Sequence, residues 1–312
     1  MLVVVTGGTG FMGLHLVRAL QRRGAQVVAV GRRDAPELPD GVHYERADLA
    51  EEGAAAILMA KLRPQRVFHL ASAVNTARDL DVLETQIRDT QMAAVHVARA
   101  CLDAKVQRLV HVGTCEEYGD GPAPFRESQA PAPASPYSAA KVAATAFVRT
   151  LCVSFGLRAV IVRPFLTYGP GQPESLLVPA LIHSALAGQD FAMTLGEQTR
   201  EFNYIDDIVE GIVRASEVEG IEGEIINLGC GEPRRIRDLA ALVLELMNDP
   251  IQLQLGSLQY RPGETWQSYC CNEKAKALLG WEPQVSLQDG LSRTIAWYQE
   301  ALRGRAHGAH GS

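Results

Sequence analysis

No apolar run in this 312-residue chain reaches the roughly 18 residues of a membrane-spanning helix, so no membrane partner is expected. No stretch of Lys or Arg is longer than two, and the net charge is −6, which leaves no basic patch for a phosphate backbone. Nucleic acid is therefore excluded as a partner. The six cysteines, at 101, 115, 152, 230, 270 and 271, lack paired C-x-x-C spacing, and no metal site is expected. Several sit in apolar patterns where a free thiol behaves as a small hydrophobe, and the vicinal Cys270 and Cys271 read as strand residues facing opposite ways. Nothing resembles a signal peptide, since Met1 leads straight into a strand-like run from Leu2 to Val5. A cytoplasmic location is the expectation.

What is present is an alternation of short β-branched runs with helical patterns. Val3 to Val5, Val27 to Val30, Val67 to Ala71, Leu109 to Val112 and Ala159 to Val162 are bounded by turn residues. This predicts an α/β protein with a doubly wound parallel sheet of the Rossmann type over residues 1–164, joined by a returning strand near 225–228. After Pro164 the texture changes to a loop at Tyr168-Gly-Pro-Gly-Gln172, a helix from Leu176 to Leu186 and shorter elements rich in Pro and Gly. A smaller, discontinuous substrate-binding lobe is expected over 165–305, with a frayed tail at 306–312.

The first turn reads Thr6-Gly7-Gly8-Thr9-Gly10-Phe11-Met12-Gly13, after a strand and before a helix striped with Leu14, Val17 and Leu20. In that context the glycines predict a pyrophosphate seat on backbone N–H groups at the helix N-terminus. Strand two ends not in an acid but in Gly31-Arg32-Arg33. Two guanidiniums suit a 2'-phosphate, so NADP(H) is expected over NAD(H). Asp48 and Leu49 are expected at the adenine edge, and Leu70, Ala71 and Ser72 beneath the nicotinamide ribose.

Thr114-Cys115-Glu116-Glu117-Tyr118-Gly119 precedes Tyr137-Ser138-Ala139-Ala140-Lys141. A hydroxyl, a phenol and an ammonium one helical turn from the phenol can move a proton on and off a carbinol oxygen while a nicotinamide exchanges hydride. Lys141 is expected to favour the Tyr137 phenolate and lower its pKa.

These motifs, with Arg163-Pro164-Phe165, Arg200-Glu-Phe-x-Tyr-Ile-Asp-Asp207, Arg261-Pro-Gly-Glu264 and Leu279-Gly-Trp281, resemble the extended short-chain dehydrogenase/reductases in order over nearly the whole chain. That family includes nucleotide-sugar epimerases, dehydratases, decarboxylases and 4-ketoreductases. The resemblance implies a nucleoside-diphosphate sugar substrate, Tyr137 as the proton-transfer residue at sugar O4, Thr114 as its hydrogen-bonding partner, and Pro164 at the cofactor. It offers Arg200 and Arg261 as diphosphate clamps, with Glu264 beside them. Two positions depart from the pattern: Thr90 stands where the family has an Asn that props the catalytic loop, and Leu166 where an Asn touches the substrate.

The reaction has alternatives. A 4-ketoreductase acting on a 4-keto-6-deoxy sugar is the first reading, because Arg32 and Arg33 favour NADPH. A dehydratase would use Glu116 as base and Cys115 as acid, and a 4-epimerase is the third enzymatic reading. A non-catalytic sugar-nucleotide sensor would predict a broken Tyr/Lys pair, and both residues are present. The helix from Tyr137 to Phe155 and the one from Met92 to Leu102 are apolar or small on nearly every face, which predicts a homodimer through a four-helix bundle.

Overall fold

The computed structural model describes residues 1–308 apart from Ala35 and Pro262, with backbone alone for 304–308. The β-branched runs form strands β1 (Leu2–Thr6), β2 (Gln26–Gly31), β3 (His43–Arg46), β4 (Arg66–His69), β5 (Arg108–Val112) and β6 (Ala159–Pro164), and Ile225–Leu228 adds β7. They make one parallel sheet in the order β7-β6-β5-β4-β1-β2-β3. Most strands are apolar on both faces because helices cover both. Val3, Val5 and Val162 pack with helices Phe11–Arg22 and Ile205–Ala215, while Val4, Val28 and Ile161 pack with Ala54–Leu62, Ala93–Asp103 and Pro136–Phe155. The strand order reverses between β1 and β4, and that reversal opens a crevice at the carboxyl ends.

The first of these cores continues without a break into the C-terminal segments through Leu181, Leu239, Trp281 and Leu291. Asp207 ties the last of them down: its carboxylate accepts the Gln284 and Val285 N–H groups at 3.0 Å each, and its carbonyl accepts Trp281 Nε1–H at 2.9 Å.

Several boundaries differ from the sequence expectation. Strand β4 stops at His69 rather than running to Ala71: Leu70 N–H makes the last ladder bond, to the Thr6 carbonyl, and Ala71 then lies against Gly7 with its N–H on Thr6 Oγ1. The regular helix begins at Ala93, after a π-helical turn at Ile87–Met92. The tail expected to fray is helical in backbone through 308, within Leu287–Gly308, and its remainder lies outside the described residues. Cys270 is buried and bridges to Phe125, whereas Cys271 is part-buried.

Candidate active site

The turn after β1 is shaped by its glycines. Gly7 has φ +69°, and a Cβ on Gly13 would overlap the Gly7 carbonyl oxygen, so the turn closes only with glycine at that point. The helix that follows, starting at Phe11 and Met12, is entered through Gly10 without a side-chain cap and has no acid in its first turn. Its leading N–H groups therefore suit an anion, and the seat fits a dinucleotide pyrophosphate. Ala71 lies against Gly7, where a Cβ would come within 2.8 Å of Ala71 N and 3.0 Å of the Leu70 carbonyl carbon, so Leu70 and Ala71 border the same turn. Pro164 closes β6 opposite Leu228.

The end of β2 differs from expectation. Arg32 is not a free cation: its Nη1 donates to Asp89 Oδ2 at 2.6 Å. Arg33 reaches the Thr9 carbonyl at 3.5 Å. Asp48, expected at the adenine edge, accepts from Arg88 at 2.7 Å and from Ala50 N–H at 3.1 Å, while Leu49 is buried in the core. Burial opposes ionisation of Asp48, yet the Arg88 hydrogen bond and charge hold its carboxyl below the ordinary value overall.

At the end of β5 the chain turns through Thr114 into a 3₁₀ turn, Cys115–Tyr118. Thr114 Oγ1 accepts Glu116 N–H at 3.3 Å, and Glu117 Oε1 accepts Thr114 N–H at 3.0 Å, which closes a capping box. The other Glu117 oxygen takes Arg163 Nη2 at 2.6 Å in a fully buried ion pair. The Arg163 guanidinium in turn lies 4.6 Å from the Tyr118 ring centroid, and Tyr118 donates to Asn227 at 2.7 Å. This platform under Thr114 was missed in the sequence reading. Its signal was present in the Thr114-x-x-Glu117 spacing followed by a lone Arg163 in an apolar strand.

Tyr137 and Lys141 sit one turn apart on helix Pro136–Phe155, both buried, with Lys141 Nζ 6.0 Å from the Tyr137 ring centroid. Lys141 Nζ also donates to the Val112 carbonyl at 2.8 Å, which ties this helix to the end of β5. Burial pulls the ammonium down to about 8. The expected depression of the Tyr137 phenol is overturned. Burial pushes it well above its ordinary value, Cys115 and Glu116 add to the rise, and a hydrogen bond with Thr114 opposes it. Desolvation of the phenolate is the largest of these effects.

Cys115 packs part-buried beside Tyr118, Phe125 and Phe165. Burial and the carboxylates of Glu116 and Glu201 push its thiol far up, so it stays protonated. Glu116 is exposed. Arg200 and Arg261 come together, but through Glu264, at 3.0 and 3.4 Å. Leu166 turns its side chain partly outward while its carbonyl accepts Asn203 N–H at 2.9 Å. Thr90, in place of the family Asn, accepts Ala73 N–H at 3.2 Å and donates to Gln86 at 3.0 Å, while Gln86 donates to the Ala73 carbonyl at 2.7 Å. The loop after β4 is thus held by a buried Gln/Thr pair.

A glycine turn at a sheet switch point, with Thr114 at the end of β5 and Tyr137 and Lys141 on the helix tied to that strand end, defines a Rossmann-fold enzyme with a seat for a nicotinamide dinucleotide. The chain belongs to the NAD dependent epimerase/dehydratase family, whose model matches residues 3–229, and so to the extended short-chain dehydrogenase/reductases. It is 29% identical to dTDP-glucose 4,6-dehydratase 1 of Escherichia coli K12, over 96% of this chain and 92% of the relative. It is also 29% identical to the UDP-glucose 4-epimerase of Mycolicibacterium smegmatis, over 96% and 99%. Among solved structures, UDP-glucose 4-epimerase of Thermotoga maritima with UDP-glucose superimposes with a TM-score of 0.91 at 26% identity, covering 97% of this chain and all of that one.

Proposed function

We propose that this enzyme removes water from a nucleoside-diphosphate hexose, of the 4,6 or 5,6 type, after oxidation at sugar C4. A nicotinamide bound beyond the glycine turn would supply the two-electron acceptor. Tyr137 Oη, as the phenolate, takes the C4 hydroxyl proton and becomes the phenol, with Thr114 Oγ1 bonded to the same oxygen and the Lys141 ammonium favouring the phenolate before the transfer. The resulting C4 ketone acidifies the C5 hydrogen. Glu116 then removes that proton, the Cys115 thiol gives its own to the C6 hydroxyl, which leaves as water, and return of the hydride to C6 in the 4,6 type or to C4 in the 5,6 type would leave the dinucleotide oxidised again.

The observation that carries this reading is the turn that starts at Thr114, which sets the Cys115 thiol directly beside the exposed Glu116 carboxylate. An acid and a base side by side are what elimination needs and what simple reduction does not. Glu116→Gln should lower water loss by about 100-fold or more while leaving the first oxidation, seen as nicotinamide absorbance on single turnover, within a few fold. Equal loss of both steps would place Glu116 outside the elimination. Tyr137→Phe should suppress the oxidation itself.

The second reading is the NADPH-dependent 4-ketoreductase, which the two guanidiniums after β2 favour. The engagement of Arg32 by Asp89 weakens that argument. NADPH oxidation in step with loss of a 4-keto-6-deoxy nucleotide sugar would establish it. Appearance of the C4 epimer without loss of water would establish the epimerase.

A further inference from the structure

We propose that Asp89 sets the cofactor's 2'-position specificity: it neutralises Arg32 at the end of β2, so that the site takes a ribose with free hydroxyls and rejects a 2'-phosphate. This rests on reading the glycine turn as a nicotinamide-dinucleotide seat. In that seat the adenosine ribose falls at the end of β2, where an acid ordinarily accepts its hydroxyls and an arginine ordinarily accepts a 2'-phosphate. Here β2 ends in Gly31-Arg32-Arg33, which by itself points to NADP. The missing acid is delivered from another element. Asp89 lies in the π-helical turn Ile87–Met92, its side chain is only 10% exposed, and its two oxygens take Arg32 at 2.6 Å and Arg88 at 2.5 Å.

The surrounding charges are matched in the same way. Arg88 also reaches Asp48 at 2.7 Å and Glu51 at 2.6 Å, and Arg46 reaches Asp34 at 2.5 Å. Arg32, Arg46 and Arg88 therefore face four carboxylates: Asp34, Asp48, Glu51 and Asp89. A phosphate dianion entering this cluster would meet a carboxylate behind each of those three guanidiniums. It would find Arg33, which bonds the Thr9 carbonyl at 3.5 Å, as its remaining cation. A neutral ribose meets no such repulsion. The turn that carries Asp89 is fixed in place: Thr90, the next residue, is bonded to Gln86 and to the loop after β4, while the carboxylate itself is held between Arg32 and Arg88.

The test is titration of the purified full-length protein and its variants with NAD+ and with NADP+ by calorimetry. The wild type should bind NAD+ at least 10-fold tighter than NADP+. Asp89→Asn keeps the shape, frees the Arg32 charge, and should shift the ratio of the two dissociation constants at least 10-fold toward NADP+. Asp89→Glu should keep the wild-type preference, and adding Arg32→Gln to Asp89→Asn should remove the gain, which a merely structural role for Asp89 would not produce. Preference of the wild type for NADP+, or a ratio unchanged within twofold in Asp89→Asn, would overturn the inference. If neither dinucleotide binds the wild type, the cofactor reading itself fails and takes this assignment with it.

Discussion

Two imidazoles lie stacked 5.5 Å apart behind the catalytic helix, His69 at the end of β4 and His111 beside it on β5. His69 Nδ1 bonds Thr6 Oγ1 at 2.7 Å; its Nε2 and both His111 nitrogens are buried without a hydrogen-bond partner among the described residues. Burial, reinforced by the Lys141 ammonium, takes His69 down to about 3. Burial also takes His111 well below its ordinary value. A folded pKa below the unfolded 6.5 means that the unfolded chain binds protons the native one refuses. The stability from these neutral rings is then complete above about pH 6.5 and is lost progressively as pH falls. Urea midpoints should therefore drop between pH 7 and pH 5, and His111→Phe, which discards the unpartnered ring nitrogens, should flatten that drop measurably. An unchanged pH slope would mean that His111 is not kept neutral in the native state. At this scale Thr114, Tyr137 and Lys141 were legible because three chemical types at fixed offsets carry information. His111 and Glu117 were not, since a lone polar residue in an apolar strand does not say what it faces.

Elements position these residues through a few contacts that tolerate little change. The 3₁₀ turn after β5 stands on the Glu117 and Arg163 pair, and cutting one partner strands a buried charge. Glu117→Gln should cost about 3 to 5 kcal/mol in urea unfolding. A loss under about 1 kcal/mol would show that the pair is dispensable to the fold. The glycine turn is tested separately: Gly13→Ala drives a methyl into the Gly7 carbonyl and should abolish dinucleotide binding by calorimetry, whereas retained affinity would remove the turn from the cofactor site. The strands were readable because runs such as Val27 to Val30 have no other stable use. The π-helical turn was not, because Ile87–Met92 carries the same residue pattern as an ordinary helix. Its extra residue shows itself only in where Asp89 and Thr90 reach. That hidden register is why Arg32 and Arg33 pointed to NADP in the sequence and why the structure weakens that expectation.

On the scale of the molecule, helix Pro136–Phe155 is, by length and composition, apolar enough to cross a membrane, yet Tyr137, Lys141, Ala144 and Val148 are packed on the sheet. Its outer face leaves Phe147 and Phe155 about half to two-thirds exposed and Val153 81% exposed. The neighbouring segment adds Leu83, Ile87 and Met92. The apolar residues of Ala93–Asp103 are instead spent largely in the protein's own core, so the second expected helix adds an exposed large apolar side chain only at its start, Met92. We propose that this joint face pairs with its copy about a two-fold axis. Light scattering at micromolar concentration should give a dimer mass, and Phe147→Glu should give a monomer; a wild-type monomer would refute the pairing. Elimination is read most plainly from the mass and redox balance of the product formed from a panel of nucleoside-diphosphate hexoses. A dehydratase gives a product lighter by one water with no net change in NADH. A product of unchanged mass, or one formed only as NADPH is consumed, would rule elimination out.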